Sequence, residues 1–203
     1  MIDKYGVEQD PDCYLGTSIL INLLNIRDED LLMAAERDLS AIAAANIDFF
    51  EPPYNLKSLQ TIHRLLFADI YEWAGEIRLI DISKGGTRFC TTTRIMAEAN
   101  KLFRQLHQQD YFVNLPRQQL IMAIADFYSE LNVIHPFREG NGRSQRILFE
   151  HLIANCGFNL SWQHITQEGW INANIEGYLG NTKPMIAIFE ACIGDSFLDT
   201  HHL

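Results

Sequence analysis

The sequence predicts an all-α protein, a helical bundle that carries one short β-hairpin. Three observations support that reading. Apolar residues recur at three- and four-residue intervals in several separate segments. One stretch, 77–82, alternates instead and runs into a Gly-Gly pair. Cap residues, prolines and glycines fall where the helical segments begin and end.

With 203 residues, 47% of them apolar, the chain suits one domain, 1–203, with a real core. Acidic residues outnumber basic ones 26 to 16, a net charge of −10, which disfavours a broad electrostatic grip on nucleic acid. Any anion site is therefore local. Cys13, Cys90, Cys156 and Cys192 are far apart and show neither a CxxC pair nor zinc spacing, as reduced thiols in the cytoplasm would. MIDKYGVEQDPD at the start has no apolar signal core, and no run approaches the ~18 apolar residues of a membrane span. The expectation is a cytoplasmic protein without a membrane or direct nucleic-acid partner.

The first helix is expected at 27–46, with Leu31, Ala35, Leu39, Ile42 and Ala43 on one face behind an acidic first turn. The second is expected at 58–75, capped by Ser58, stopped by Gly75 and buried through Leu59, Ile62, Leu66, Phe67, Ile70 and Trp73. The alternating stretch then gives a hairpin over 77–90, turning at Gly85-Gly86. Two more helical patterns follow, TRIMAEANKLFRQLHQQ and PRQQLIMAIADFYSELNVI, the second with Pro116 in its first turn.

That second helix has to stop before His135-Pro136, because proline disfavours helical geometry in the residue before it. Helical spacing resumes after Gly142 with Ile147, Leu148, His151 and Leu152 and stops near Gly157, so 116–157 holds two core helices around a loop. Two shorter helices within 161–194 close the chain, one after Thr166 and one from Thr182 to Cys192 with Pro184 near its start.

The loop between the core helices, HPFREGNGRSQR over 135–146, holds the chemistry. A glycine-rich turn that feeds a helix presents unpaired N–H groups at the positive end of the helix dipole, which suits a phosphate. Gly140-Asn141-Gly142 is such a turn. Arg143 and Arg146, three apart on the first helical turn, can both fork onto phosphate oxygens. Glu139 beside a polyphosphate is explained by Mg²⁺, which is held by one or two carboxylates plus phosphate oxygens. His135 remains as the acid/base group. Each piece also has a plain structural reading: a helix-end cap for His-Pro, ordinary loop geometry for the glycines, and a solvated face for the arginines, paired with Glu139 or Glu150.

The segment resembles the signature HPFx(D/E)GNGRxxR of the Fic family, with every fixed position filled. YLGTSILINLLNI, FADIYEWAGEIR, the hairpin and the run after Ser161 extend the resemblance over nearly the whole chain. It implies the Fic fold and transfer of AMP from ATP to a Ser, Thr or Tyr hydroxyl of a target protein. His135 would be the base, Glu139 the Mg²⁺ ligand, and Phe137, Gly140, Asn141, Gly142, Arg143 and Arg146 the nucleotide contacts, with Arg146 reaching the γ-phosphate. The phosphorylating Doc relatives carry lysine where Gly142 stands here.

The same resemblance implies that the hairpin is a flap on which a target segment docks along Asp81, Ile82, Ser83 and Lys84, with Lys84 and Gly85 near the nucleotide. Without it, the segment reads as an ordinary surface hairpin. Trp170, Asn174 and Tyr178 share a helical face and are candidates to flank adenine, although an aromatic stripe is more often core. The rival readings are a donor other than ATP, such as UTP, and a Fic fold that only holds a nucleotide or partner.

Fic proteins are commonly restrained by a glutamate in an (S/T)xxxE(G/N) helix. The Glu-Gly pairs here, at Glu139, Glu168 and Glu176, have His135, His164 and Asn172 four residues before them, none of them Ser or Thr. The resemblance therefore implies a small separate antitoxin that supplies the glutamate in trans.

Overall fold

The computed structural model describes residues 10–197. The end segments 1–9 and 198–203, including most of the stretch read above for a signal sequence, lie outside the described residues. The elements are α1 (Glu29–Ala44), α2 (Leu56–Phe67), β1 (Ser83–Lys84), β2 (Thr87–Arg88), α3 (Thr92–Gln108), α4 (Arg117–Ile134), α5 (Asn141–Asn155), β3 (Phe158–Leu160), α6 (Gln167–Tyr178), α7 (Lys183–Cys192) and β4 (Ile193–Ser196). This is the all-α class read from the sequence. No helix among the described residues is long and apolar enough to cross a membrane.

α4 is the central helix. Leu120, Ile121, Ile124, Ala125, Phe127, Tyr128 and Leu131 are buried on several faces, because α3, α6 and α7 pack around it. Fully burying one such large apolar side chain contributes roughly 1.5–3 kcal/mol, so α4 is fixed from most sides before the loop at its C-terminus begins. α2 packs between α1 and α5. The functional loop is thus suspended between two anchored helices, α4 before it and α5 after it.

The first predicted face is rotated by one residue. Leu31 and Ile42 are 57% and 63% exposed, and the buried positions are Leu32, Glu36 and Ser40. A carboxylate and a hydroxyl replace apolar residues on the buried side because Tyr71 and Arg143 meet them there.

The second helix is shorter than 58–75. Asn55 is the cap, its side chain accepting from Ser58 N–H while Ser58 answers in a capping box, and helical geometry ends at Phe67. Beyond it, side chains of α2 capture the chain as it folds back. Gln60 donates to Gly75 O, Arg64 to Ala74 O, and His63 Nδ1 accepts from Gly75 N–H. Gly75 sits at φ +85°, where an added Cβ would lie 2.9 Å from Gln60 O, so glycine is required for this return and not for a helix stop.

The expected hairpin over 77–90 narrows to two residue pairs, Ser83 with Arg88 and Lys84 with Thr87, around Gly85-Gly86. Pro116 caps α4 and does not enter its first turn. A second antiparallel pair, β3 with β4, was not anticipated; it ties the chain after α5 to the chain after α7 and replaces the end of the expected helical segment 161–194. Thr166 caps α6 through Gly169 N–H, and Pro184 occupies the first turn of α7, both as expected.

Candidate active site

His135 ends α4 in the left-handed region, at φ 47° and ψ 64°, a geometry that costs a non-glycine residue of order 1 kcal/mol or more. The turn sends the chain into the loop and leaves the imidazole half-buried. Nδ1 lies 3.2 Å from Asn132 O, a carbonyl that can only accept, so Nδ1 carries the proton and Nε2 keeps its lone pair. Phe89 stacks on the ring at 3.7 Å and 11°. Removal from water is the main reason the imidazole is pushed down to about 4; the hydrogen bond to Asn132 and Glu139 oppose the shift, and Arg78 and Lys84 add to it. At neutral pH His135 is an uncharged acceptor.

The loop closes on itself through Asn141. Its Oδ1 accepts from Phe137 N–H at 2.9 Å and its Nδ2 donates to Phe137 O at 2.8 Å. The first main-chain bond of α5 is Ser144 N–H to Gly140 O at 3.1 Å, which leaves the amides of Asn141, Gly142 and Arg143 without a partner inside the helix. Gly140 caps the helix at φ 77°, and an added Cβ there would meet Phe67 at 2.3 Å. A Cβ on Gly142 would meet nothing within 4 Å. Packing demands glycine at 140 only. At 142 a side chain would enter open space.

The two arginines are held differently. Arg143 Nη2 lies 2.6 Å from Glu36 Oε2 and 3.8 Å from Glu139 Oε1, Nη1 lies 3.2 Å from Ser40 Oγ, and the guanidinium covers the Phe67 ring at 4.6 Å. Arg146 lies over Trp170 at 5.2 Å and makes no ion pair within 4 Å among the described residues. Both line a cavity of about 450 Å³ between α1 and α5, with Glu36, Ser40, Glu150 and Trp162. The Glu139 carboxylate is at the mouth of the nest, 38% exposed, with Oε1 accepting from Gly140 N–H at 2.9 Å. One carboxylate beside a phosphate nest fits Mg²⁺, which takes its other ligands from phosphate oxygens and water.

Residues 53–153 match the Fic/DOC family model. A probable protein adenylyltransferase Fic of Escherichia coli K12 is 40% identical over 196 residues, 97% of this chain and 98% of the relative. The chain belongs to the Fic/DOC family. Among solved structures, BepC of Bartonella tribocorum with bound AMPPNP superposes with a TM-score of 0.85 at 28% identity, covering 91% of this chain and 97% of that one. The N-terminal Fic domain of a Bartonella quintana effector with bound ADP does so with 0.84 at 28% identity, covering 91% and 95%.

In this Fic domain several expected contacts take a different form. Phe137 is fully buried and stacks on His63 at 3.9 Å, so its ring belongs to the floor of the loop and is not a nucleotide contact. The Asn141 side chain is spent on Phe137, which leaves only its backbone for a phosphate.

On the flap, Ile82 is 4% exposed and its carbonyl accepts from Phe89 N–H at 3.3 Å. Asp81 caps α3 through Thr92 N–H at 2.8 Å and pairs with Arg88 at 3.7 Å. These two hold the hairpin together, and Ser83 and Lys84 remain on the outer strand. Lys84 and Gly85 are exposed at the tip. Trp170 packs edge-on against Tyr128 and Trp162 beneath Arg146, and Asn174 Nδ2 returns to Trp170 O at 2.7 Å, so this pair forms the wall under the arginine. Tyr178 instead lines a cleft with Phe89, Cys90, Val133 and Ile134 beside the flap.

Sequence reasoning missed five residues. Glu36 and Ser40 reach Arg143 from α1, and the signal was a carboxylate and a hydroxyl four apart inside an amphipathic pattern. Arg78, 4% exposed, donates to the carbonyls of His135 at 2.8 Å, Ile80 at 2.7 Å and Cys90, joining both legs of the flap to the loop. His63 lies 2.9 Å from Glu139 O; because its Nδ1 accepts from Gly75, Nε2 is the donor. Arg138, between the fixed positions of the motif, is buried against Asp10 and Asp12 and ties the N-terminal segment to the loop.

Proposed function

We propose that the protein transfers AMP from ATP to a Ser, Thr or Tyr hydroxyl of a target protein and releases pyrophosphate. The observation that carries this reading is the His135 tautomer. A neutral imidazole with Nε2 free to accept stands in the same loop as three unpaired helix amides and two arginines. The hydroxyl oxygen attacks the α-phosphorus, its proton passes to Nε2, and the bond to the bridging oxygen breaks as pyrophosphate leaves. Backbone amides at the start of α5 and Arg146 hold the departing charge. Mg²⁺ on Glu139 supplies further charge neutralisation when bound. The E. coli relative is named a probable protein adenylyltransferase, and the two Bartonella structures hold AMPPNP and ADP, which supports ATP as donor.

The target segment adds to the outer edge of β1, which β2 leaves unpaired, so main-chain bonds set the hydroxyl over the α-phosphorus. A small antitoxin fills the cavity between α1 and α5 and brings its glutamate to Arg146. The uncommitted state of that arginine and the lack of an (S/T)xxxE(G/N) pattern within residues 1–203 support this. The reaction takes place in the cytoplasm, in keeping with four free cysteines.

The test is incubation with α-labelled ATP, Mg²⁺ and cell lysate. Wild type should label a protein band, and His135→Ala should label none while keeping its affinity for ATP. Labelling by His135→Ala at the wild-type rate overturns the base assignment, and stronger labelling from UTP reassigns the donor. Expression alone should arrest growth and a co-expressed neighbouring small protein should relieve it; harmless expression of active enzyme excludes the antitoxin.

A further inference from the structure

The geometry points to Glu36 as a positioning residue that presets Arg143 for the transition state. Glu36 is 8% exposed, and both of its oxygens are used. Oε1 accepts from the Tyr71 hydroxyl, and Oε2 lies 2.6 Å from Arg143 Nη2. One helical turn on, Ser40 Oγ meets Nη1 at 3.2 Å. With Phe67 under the plane at 4.6 Å, the guanidinium is gripped from α1 on one edge and from α2 below.

A guanidinium has five N–H donors, and these two contacts use two of them. The remainder stay available on a group whose rotamers are already frozen, at the end of α5 that carries the nest. Freezing a long side chain beforehand removes an ordering cost that would otherwise fall in the transition state. A buried carboxylate is costly to keep unless its partner geometry is tight. Here the partner is a motif arginine. The carboxylate also offsets part of the Arg143 charge, so its removal should not weaken ground-state binding of ATP. The expected effect lies in the rate.

The inference rests on Arg143 facing the phosphates, and the test separates the two. Pyrophosphate release from ATP, with lysate as acceptor, is measured for wild type, Glu36→Ala, Arg143→Ala and the double variant, beside the Kd for AMPPNP. Glu36→Ala should lower kcat about tenfold with KM for ATP and the Kd within about twofold, since misplacing a catalytic group by ~1 Å costs up to a hundredfold. Glu36→Gln, which keeps a carbonyl acceptor, should fall between it and wild type and serves if the alanine variant does not fold. In the Arg143→Ala background the Glu36 change should cost nothing further. Equal losses in both backgrounds, or no loss in wild type, overturn the proposal.

An Arg143→Ala single variant with full activity overturns the assignment of Arg143 and the proposal with it. Independently of any turnover, the Arg143 Nε–H signal in a ¹⁵N spectrum should show hindered guanidinium rotation in wild type and free rotation in Glu36→Ala. Hindered rotation in both overturns the proposal even if no acceptor protein is found.

Discussion

The Phe89 ring lies flat on the His135 imidazole, centroids 3.7 Å apart and planes 11° from parallel, so the flap itself covers the proposed base. Whatever moves the flap therefore also changes how much water reaches the ring.

That coupling predicts a pH profile. Burial disfavours the imidazolium, so His135 is held at about 4 and stays neutral as pH falls from 7 to 5. In wild type kcat/KM should stay flat across that range and fall only below it. In Phe89→Ala water reaches the ring, and the acid limb should move up toward the ordinary value of about 6.5. An unchanged limb in the variant would mean that Phe89 does not control the solvation of the ring.

Arg146 is the motif arginine without an ion-pair partner among the described residues, and it is held over Trp170. Arg146→Ala should cost about 2–4 kcal/mol in kcat/KM, for one lost charged contact to the leaving group. Steady-state kinetics with varied ATP measures it, and unchanged kinetics would place the side chain on a solvated face.

The two glycines of the nest should separate folding from binding. Gly140→Ala meets Phe67 at 2.3 Å and forces a left-handed φ on alanine, so it should destabilise the protein by roughly 2–4 kcal/mol in chemical denaturation. Gly142→Ala meets no neighbour and should denature like wild type, yet lose affinity for AMPPNP because the methyl group enters the anion's approach. Equal stability of the two variants would contradict the packing argument.

His63 predicts acid sensitivity. It is fully buried, and burial is the main cause holding it down to about 4, with the hydrogen bond to Glu139 O opposing. The unfolded chain takes up the proton near pH 6.5, whereas the folded chain does not until about pH 4. Stability from this group is therefore complete above 6.5 and lost as pH falls toward 4, on the order of 3 kcal/mol. Denaturation midpoints at pH 7, 5.5 and 4.5 should decline, and His63→Gln should flatten the decline.

Much of the molecule was legible in the chain because local signals govern it. Helical periodicity, the Thr166 cap, Pro184 and the break before Pro136 depend on neighbours within a few residues, and they placed α3 to α7 nearly to their ends. The motif was legible for the same reason, since a nest, a first helical turn and a loop histidine are all contained in 135–146. Packing between distant segments decided the rest. Leu31 and Ile42 fit a periodic face as well as Leu32 and Ala43 do, and only the approach of Tyr71 and Arg143 turned α1 toward Glu36 and Ser40. Phe137 and Asn141 read as ligand contacts in one dimension; His63, 74 residues before Phe137, drew the ring inward, and the loop closed on the asparagine. Arg78 and Arg138 became staples because buried guanidiniums require acceptors, and these came from segments 57 and 128 residues away. Sequence periodicity records that a residue is apolar or charged, but which buried partner satisfies it is settled only when the helices meet.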